Sequence, residues 1–449
     1  MNVIFFALVA LAFAVAAGRE LLGLGPAADV SAMKALTTAI IDSAGSAVTL
    51  AIGLIGVMAL FLGVMKVGEA AGLLVTIARL VRPLMTRLFP EVPAEHPAMG
   101  AMIMNISANV LGLGNAATPF GIRAMQELDR LNPLKGTATN AMVLFLAINT
   151  SSVTLLPTGV ISLRAAAGSA DPAGIVPTTL FATICSTTVA IVMAKLLERV
   201  WPTGPAGSAE LPAVAGSPTT EDGSAEAAFE GPPDPQEAMA AAAEADQVGP
   251  GYPPIVSFAA LAATVALIPL SILYGRATAP WIVPGLIVGL LALGVARRVR
   301  IYDVFIEAAR DGFQVAIRIT PYLVAILVAV AMFRSSGALD LLVSPIGRLT
   351  GPLGLPAEAV PMALLRTLSG SGTYGVLASI INDPTIGPDS YVGYLVSTIQ
   401  GSTETTFYVL AVYCGAVGVR RLRHAVVAAL AADAAGIGGS VVICSLLYG

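Results

Sequence analysis

Charge is what this sequence has least of. Only 12% of its 449 residues are Asp, Glu, Lys or Arg, about half the quarter found in ordinary soluble domains. Mean hydropathy is +0.83, and several apolar runs approach the ~20 residues that cross a bilayer as a helix. A soluble globular domain is thereby excluded. The expectation is an all-α polytopic membrane protein. Cysteine is nearly as scarce: Cys185, Cys414 and Cys444 lie far apart in apolar segments, which excludes a disulfide framework and reads them as small hydrophobes. The two histidines, His96 and His424, sit in loop-like stretches far from each other. That excludes a His-Glu-x-x-His metal motif, and no metal site is expected. No lysine is followed by Ser or Thr, so there is no phosphate-binding loop. Around Leu368-Ser-Gly-Ser-Gly372 the glycine that should precede a nucleophilic serine is missing. No enzyme chemistry is expected.

What charge there is falls unevenly. Nine acids and no Lys or Arg occupy 203–250, so the modest formal charge of −4 hides a cationic remainder. Residues 202–253 are rich in Pro, Gly, Ala and Ser and have too few large apolar groups to form a core, which reads as a disordered acidic linker. It separates two membrane halves, 1–201 and 254–449. Apolar spans are predicted near 2–24, 44–65, 138–160, 174–198, 254–275, 280–297, 312–333, 390–413 and 425–447. The first ends in Ala16-Ala17-Gly18, like a cleavable leader, but Met1-Asn2 supplies no basic residue, which favours a retained helix.

The halves share three landmarks in the same order. Met65–Leu73 parallels Met332–Ala338, each containing a glycine after a cationic stretch. Next comes a polar interruption of an apolar segment, Asn105-Ile-Ser-Ala-Asn-Val-Leu-Gly-Leu-Gly-Asn115 in one half and Leu368–Gly375 in the other. Asn149-Thr-Ser-Ser-Val-Thr154 then matches Gly401-Ser-Thr-Glu-Thr-Thr406. Together they indicate a duplicated unit. Basic clusters fall at 66–87, 123–135, 195–199, 297–300 and 420–423. If all are cytoplasmic, 98–121 must enter and leave by one face and 358–382 by the other. The duplicated units are then inverted, with re-entrant or broken helices near mid-membrane, a pattern of secondary transporters. Stretches 72–90 and 339–351 read as interfacial amphipathic helices.

The candidate site follows from cost. Glu404 lies fourteen residues into the span at 390–413, about 21 Å along a helix, where an ionisable group costs on the order of 2.5–3.5 kcal/mol. Gln400, Ser402, Thr403 and Thr406 crowd around it, more polar groups than one helix face accommodates. Either protein or water surrounds them, or the backbone is interrupted; Glu404 is then a solute or ion ligand, or a protonated acid bonded to a buried partner. Asn105, Ser107, Asn109 and Asn115, with Asn149, Ser151 and Ser152, supply the matching polar groups of the first half. Ser369 and Ser371 stand at the second interruption. These small residues would line a cavity where backbone is freed, or allow close helix packing. Arg366, just before the second interruption, could pair with a solute carboxylate or phosphate, with Glu404, or snorkel to the interface. Asp433 is the other deep acid.

The motifs at 105–121 and 149–152 resemble spore maturation protein A of bacteria. Gly401-Ser-Thr-Glu-Thr-Thr-Phe-Tyr-Val409 with Gly415–Arg420 resembles spore maturation protein B. Both families belong to the Gate, nucleoside-recognition group, which includes concentrative nucleoside transporters and the membrane part of B-type ferrous iron transporters. Gly401-Ser-Thr-Glu404 is similar to the Gly-Gln-Thr-Glu-Ala-Pro hairpin of the nucleoside transporters, with Ser402 replacing Gln and Thr405-Thr406 replacing Ala-Pro. The resemblance implies a fusion of the two families in a multi-pass protein of the bacterial inner membrane. The expected function is a permease for a small polar solute, coupled to H⁺ or Na⁺ and using no other cofactor. Its partners would be the lipid bilayer and the solute, not nucleic acid, and a homo-oligomer is compatible. The alternatives are a non-transporting scaffold that binds through the linker, and a ferrous-type permease.

Overall fold

The structure, a computed structural model, describes residues 2–23, 31–201, 249 and 251–449, apart from some side chains within them. The linker expected at 202–253 falls almost wholly outside the described residues, as do the side chains of Asn115 and Ser371. The described chain is α-helical, its only β feature being an isolated bridge between Thr137 and Arg421. Among the described residues, three helices are long and apolar enough to cross a membrane alone: Ala32–Ala70, Pro172–Glu198 (its first turn 3₁₀) and Ala425–Tyr448.

The first half contains α1 (Asn2–Leu21), α2 (Ala32–Ala70), α3 (Leu73–Leu88), α4 (Pro97–Leu111), α5 (Gly114–Arg130), α6 (Asn140–Thr150), α7 (Thr158–Ala166) and α8 (Ile175–Glu198). The second contains α9 (Pro254–Ala296), α10 (Ile301–Ser335), α11 (Ala338–Thr350), α12 (Val360–Arg366), α13 (Gly370–Ile381), α14 (Tyr391–Ser402), α15 (Thr406–Gly415) and α16 (Ala425–Tyr448). From α2 and from α10 onward the order is the same: long helix, short amphipathic helix, two-armed hairpin, broken span, last span.

Local chemistry marks the same joints in each run. Gly72 (φ 81°) and Gly337 (φ 80°) adopt the left-handed conformation just before α3 and α11, a turn that side chains with a Cβ resist. Hydroxyl caps open the broken spans and one hairpin arm: Thr139 accepts from the N–H of Met142, Ser390 from Gly393 and Ser369 from Gly372. These caps satisfy helix donors that lipid could not.

Matching helices of the two runs lie antiparallel. On α2 and α10, Leu36 shares a cluster with Met332 and Phe333, whereas Gly63 meets Phe305. On α8 and α16, the Ser186 hydroxyl donates to Ala432 O at 2.8 Å; toward the ends His424 meets Ala194 O, and Tyr448 donates to Gly174 O. One large apolar core joins α4, α5 and α6 to α15 and α16, and another joins α2, α7 and α8 to α10, α13 and α14. Neither half buries its apolar faces alone.

The basic segments gather at one end of the molecule. There Arg420 and Arg421 donate their N–H groups to Gly136 O, Asn140 bonds Glu198, and Arg423 donates to Trp201 O. Hairpin α4–α5 has both of its ends here. Hairpin α12–α13 has both of its ends at the other end of the molecule, where Arg334 pairs with Asp383 and Tyr391 with Gly354 O.

The two spans predicted at 254–275 and 280–297 form one helical run, α9. A straight helix of that length would extend about 65 Å. Yet Tyr252, at its start, donates to Arg79 O on α3, and Gly294, near its end, meets Val67 just before α3. The short α3 cannot separate those points by such a distance, so the run is bent. Pro269 and Pro284 lie within it, and a proline inside a helix removes a backbone donor and favours bending.

Candidate functional site

Both broken spans are interrupted at the centre of the molecule, and the two breaks touch. In the first, α6 ends at Thr150 and α7 begins at Thr158. In the second, α14 ends at Ser402, Thr403 and Thr405 are extended, and α15 begins at Thr406. The Glu404 N–H donates to Thr150 O at 2.9 Å, a backbone bond from one break to the other.

Each hairpin places its tip against the break of its own half. The Leu155 N–H donates to Val110 O at 2.9 Å, and the Phe407 N–H to Thr367 O at 3.4 Å. Gly112 at the first tip has φ 75°, and a Cβ there would lie 2.3 Å from the Leu156 carbonyl oxygen. Gly112→Ala should therefore cost about 1–2 kcal/mol in backbone strain and a further ~1–3 kcal/mol in crowding. A thermal-unfolding midpoint equal to wild type would contradict this contact.

Glu404 has an environment unlike its neighbours. Ser402, Thr403, Thr405 and Thr406 are buried, whereas 44% of the Glu404 side-chain surface remains accessible. Its Oε2 lies 3.8 Å from Arg366 Nη2, too far for a hydrogen bond. Arg366 spends its donors on the break instead, with Nη1 on Thr405 Oγ1 at 3.3 Å and Nη2 on Thr403 O. It thus braces the extended backbone and supplies positive charge beside Glu404, while the carboxylate keeps its hydrogen-bonding capacity. Asn109 Nδ2 donates to Asn149 Oδ1 at 3.1 Å, so hairpin tip and first break share an amide pair near the Thr150 carbonyl.

Several of the other polar residues are used locally. Ser107 donates to Ile103 O, Ser151 to Ala147 O and Ser152 to Ile148 and Asn149 O, closing their own helix turns. Ser402 donates to Ile399 O, and Ser369 caps α13. Asn105 joins Ala117 O and the Tyr413 hydroxyl, bonding α4 to α5 and α15. Thr406 donates to Asp433 Oδ2 at 2.7 Å. Gln400 is buried with Oε1 unpartnered.

Sequence reasoning missed Tyr413, whose ring fills the space against Gly121, and the Thr150 carbonyl, which no side-chain pattern reports. It also missed Arg164, an arginine in an apolar stretch and completely buried. Arg164 donates to Pro388 O at 2.6 Å, Asp171 O at 3.1 Å and Asp389 Oδ1 at 3.0 Å, and stacks over Tyr394 at 4.2 Å. An isolated cation in such a span was itself the available signal.

The family model for Gate, nucleoside recognition, matches residues 51–167 and 316–420, which hold both hairpins and both breaks. Fold and site together define a multi-pass α-helical membrane protein of the Gate class. Spore maturation protein B of Bacillus subtilis (strain 168) is 43% identical over 167 residues, covering 37% of this chain and 93% of that protein. Spore maturation protein A of the same organism is 44% identical over 155 residues, covering 34% of this chain and 79% of that protein. This chain belongs to the spore maturation protein A and B families, with homology to both in a single polypeptide.

Proposed function

We propose that this protein is a secondary transporter of a small polar solute, coupled to H⁺ or Na⁺. The observation that carries the reading is the meeting of two broken spans and two hairpin tips around a half-accessible carboxylate. Backbone freed from helix inside a membrane is sustained where protein or a water-filled cavity satisfies it, and antiparallel copies with mid-membrane breaks are the architecture of alternating-access carriers. In this reading the two runs are inverted repeats, and α4–α5 and α12–α13 are re-entrant. Glu404 accepts donors from the solute, and the Asn109–Asn149 amides line the pseudo-symmetric side. Nucleosides are the first solutes to test, because the matching family model is that of nucleoside recognition; Ser402 in place of Gln leaves room for other polyhydroxylated or anionic solutes. The membrane is the bacterial inner membrane, and the basic end, with the linker, faces the cytoplasm.

Uptake of labelled nucleosides into proteoliposomes, under imposed Na⁺ or H⁺ gradients, tests the reading. Accumulation above protein-free vesicles supports it; none with nucleosides, nucleobases or small organic anions overturns it. A second expectation separates a carrier from a scaffold working through the acidic segment. Deleting 205–248 should leave uptake within about twofold of wild type, because carrier function resides in the packed helices. Loss of a captured partner with no uptake in either form would favour the scaffold.

A further inference from the structure

Each half grips the other through an arginine, and the two grips match. Arg164 lies in the last turn of α7, after the first break. Its guanidinium reaches the start of α14 in the other half. Nη1 donates to Pro388 O at 2.6 Å and Ser397 Oγ at 3.3 Å, and Nη2 to Asp389 Oδ1 at 3.0 Å. Pro388 and Asp389 directly precede Ser390, the cap of α14. Arg423 lies between α15 and α16, after the second break. Its Nη1 donates to Ala138 O at 3.2 Å and to Asn140 Oδ1 at 2.7 Å, and its Nη2 to Trp201 O. Ala138 and Asn140 flank Thr139, the cap of α6. In each half, then, an arginine that follows the broken span holds the cap of the broken span in the other half. Both arginines occupy costly positions. Arg164 is completely buried, which only its acceptors offset, and Arg423 takes a left-handed backbone at φ 53°, which persists where surrounding contacts impose it.

We propose that these are the two latches of the carrier, Arg423 closing the basic end and Arg164 the opposite end, each releasing when the central site opens to its side. The assignment rests on the transport reading and adds to it which residues set the sidedness. Arm α6 has 11 residues and arm α14 has 12, so each spans about 16–18 Å from its latched cap to its break. A helix carries a displacement of its cap along its length. At the inner ends stand Asn149 and Thr150 on α6, and Ser402, two residues before Glu404, on α14. The two latches share no residue, so one can open while the other holds. Both are made at once in this structure, which is therefore closed at both ends. Arg164 and Arg423 touch no solute in this scheme; they are positioning residues.

The test reads accessibility and needs no solute. In full-length protein with Cys185, Cys414 and Cys444 replaced by alanine, Glu404→Cys places one thiol at the breaks. A membrane-impermeant maleimide is applied to vesicles of either orientation, and Arg297→Cys, exposed at the basic end, reports which face is outward. Labelling at 404 should be slow from both faces in the parent. Arg423→Met should raise the rate at least about fivefold from the basic end alone, and Arg164→Met by a similar factor from the opposite end alone, as a shift between two states requires. Should Arg164→Met fail to fold, Asp389→Ala weakens the same latch from its more exposed side and carries the comparison. A merely structural role would raise labelling from both faces. That result, a rise from the wrong face, or no rise in the folded variants overturns the assignment. Uptake with labelling that lacks sidedness removes the latches and leaves the carrier; sided labelling without uptake of any solute supports the latches and counts against the carrier.

Discussion

Glu404→Gln should reduce coupled uptake by proteoliposomes at least tenfold while leaving the folded protein intact. The contrast follows from how Glu404 is held. Its bond to the first half is made by the backbone N–H to Thr150 O, which any residue retains. Among the described residues its side chain makes no hydrogen bond, standing 3.8 Å from Arg366, so little native structure depends on it. A solute donor that met the carboxylate would meet a neutral amide in the variant. Hydrogen bonds to charged groups contribute about 1.5–3 kcal/mol, equivalent to roughly 10–150-fold in affinity. Glu404→Asp should retain part of the activity, because the charge survives on a shorter arm. Thermal unfolding and size-exclusion profiles provide the folding control. Wild-type uptake by the Gln variant would remove Glu404 from the mechanism, and a collapsed fold would reassign it to structure.

The second large effect concerns stability. Arg164→Met should destabilise the protein by about 3–5 kcal/mol, the usual cost of breaking a buried charge-paired network from one side. Methionine preserves much of the length and volume, so the loss isolates the guanidinium. Without it the Pro388 and Asp171 carbonyls lose their donor, and Asp389 retains bonds from the Ser169 hydroxyl and the Ala170 N–H. Those groups lie on both halves, so the variant should loosen the contact between α7 and the start of α14 first. Faster hydrogen exchange at 388–397 and a lower unfolding midpoint would show this. Arg164→Lys should recover only a fraction, since an ammonium cannot reproduce the planar fork that reaches several acceptors and stacks on Tyr394. A loss below about 1 kcal/mol for Met would mean that the network is solvated and contributes little.

Much of this was legible in the chain. The low charge and long apolar runs determined a polytopic helical protein, because apolar spans without partners for their backbone are stable in a bilayer only as helices or closed barrels. The clustering of Gln400 to Thr406 around one acid excluded a plain lipid-facing helix, since consecutive side chains point about 100° apart. The structure interrupts the helix there, between Ser402 and Thr406. Gly72 and Gly337 marked matching turns by type alone. Only the tertiary structure decided which polar residues face one another. Ser107, Ser151, Ser152 and Ser402 carry the same chemistry as Thr403 in sequence, yet they close their own helix turns, while the Thr403 hydroxyl stands beside the Asp433 carboxyl of another helix. Nor could the chain reveal the bond from Glu404 to Thr150, or the reach of Arg164 across the two halves. Burial and helical periodicity are properties of short segments and leave their trace in composition. A hydrogen bond between residues more than two hundred positions apart depends on how two antiparallel runs dock, and that docking is set by shape.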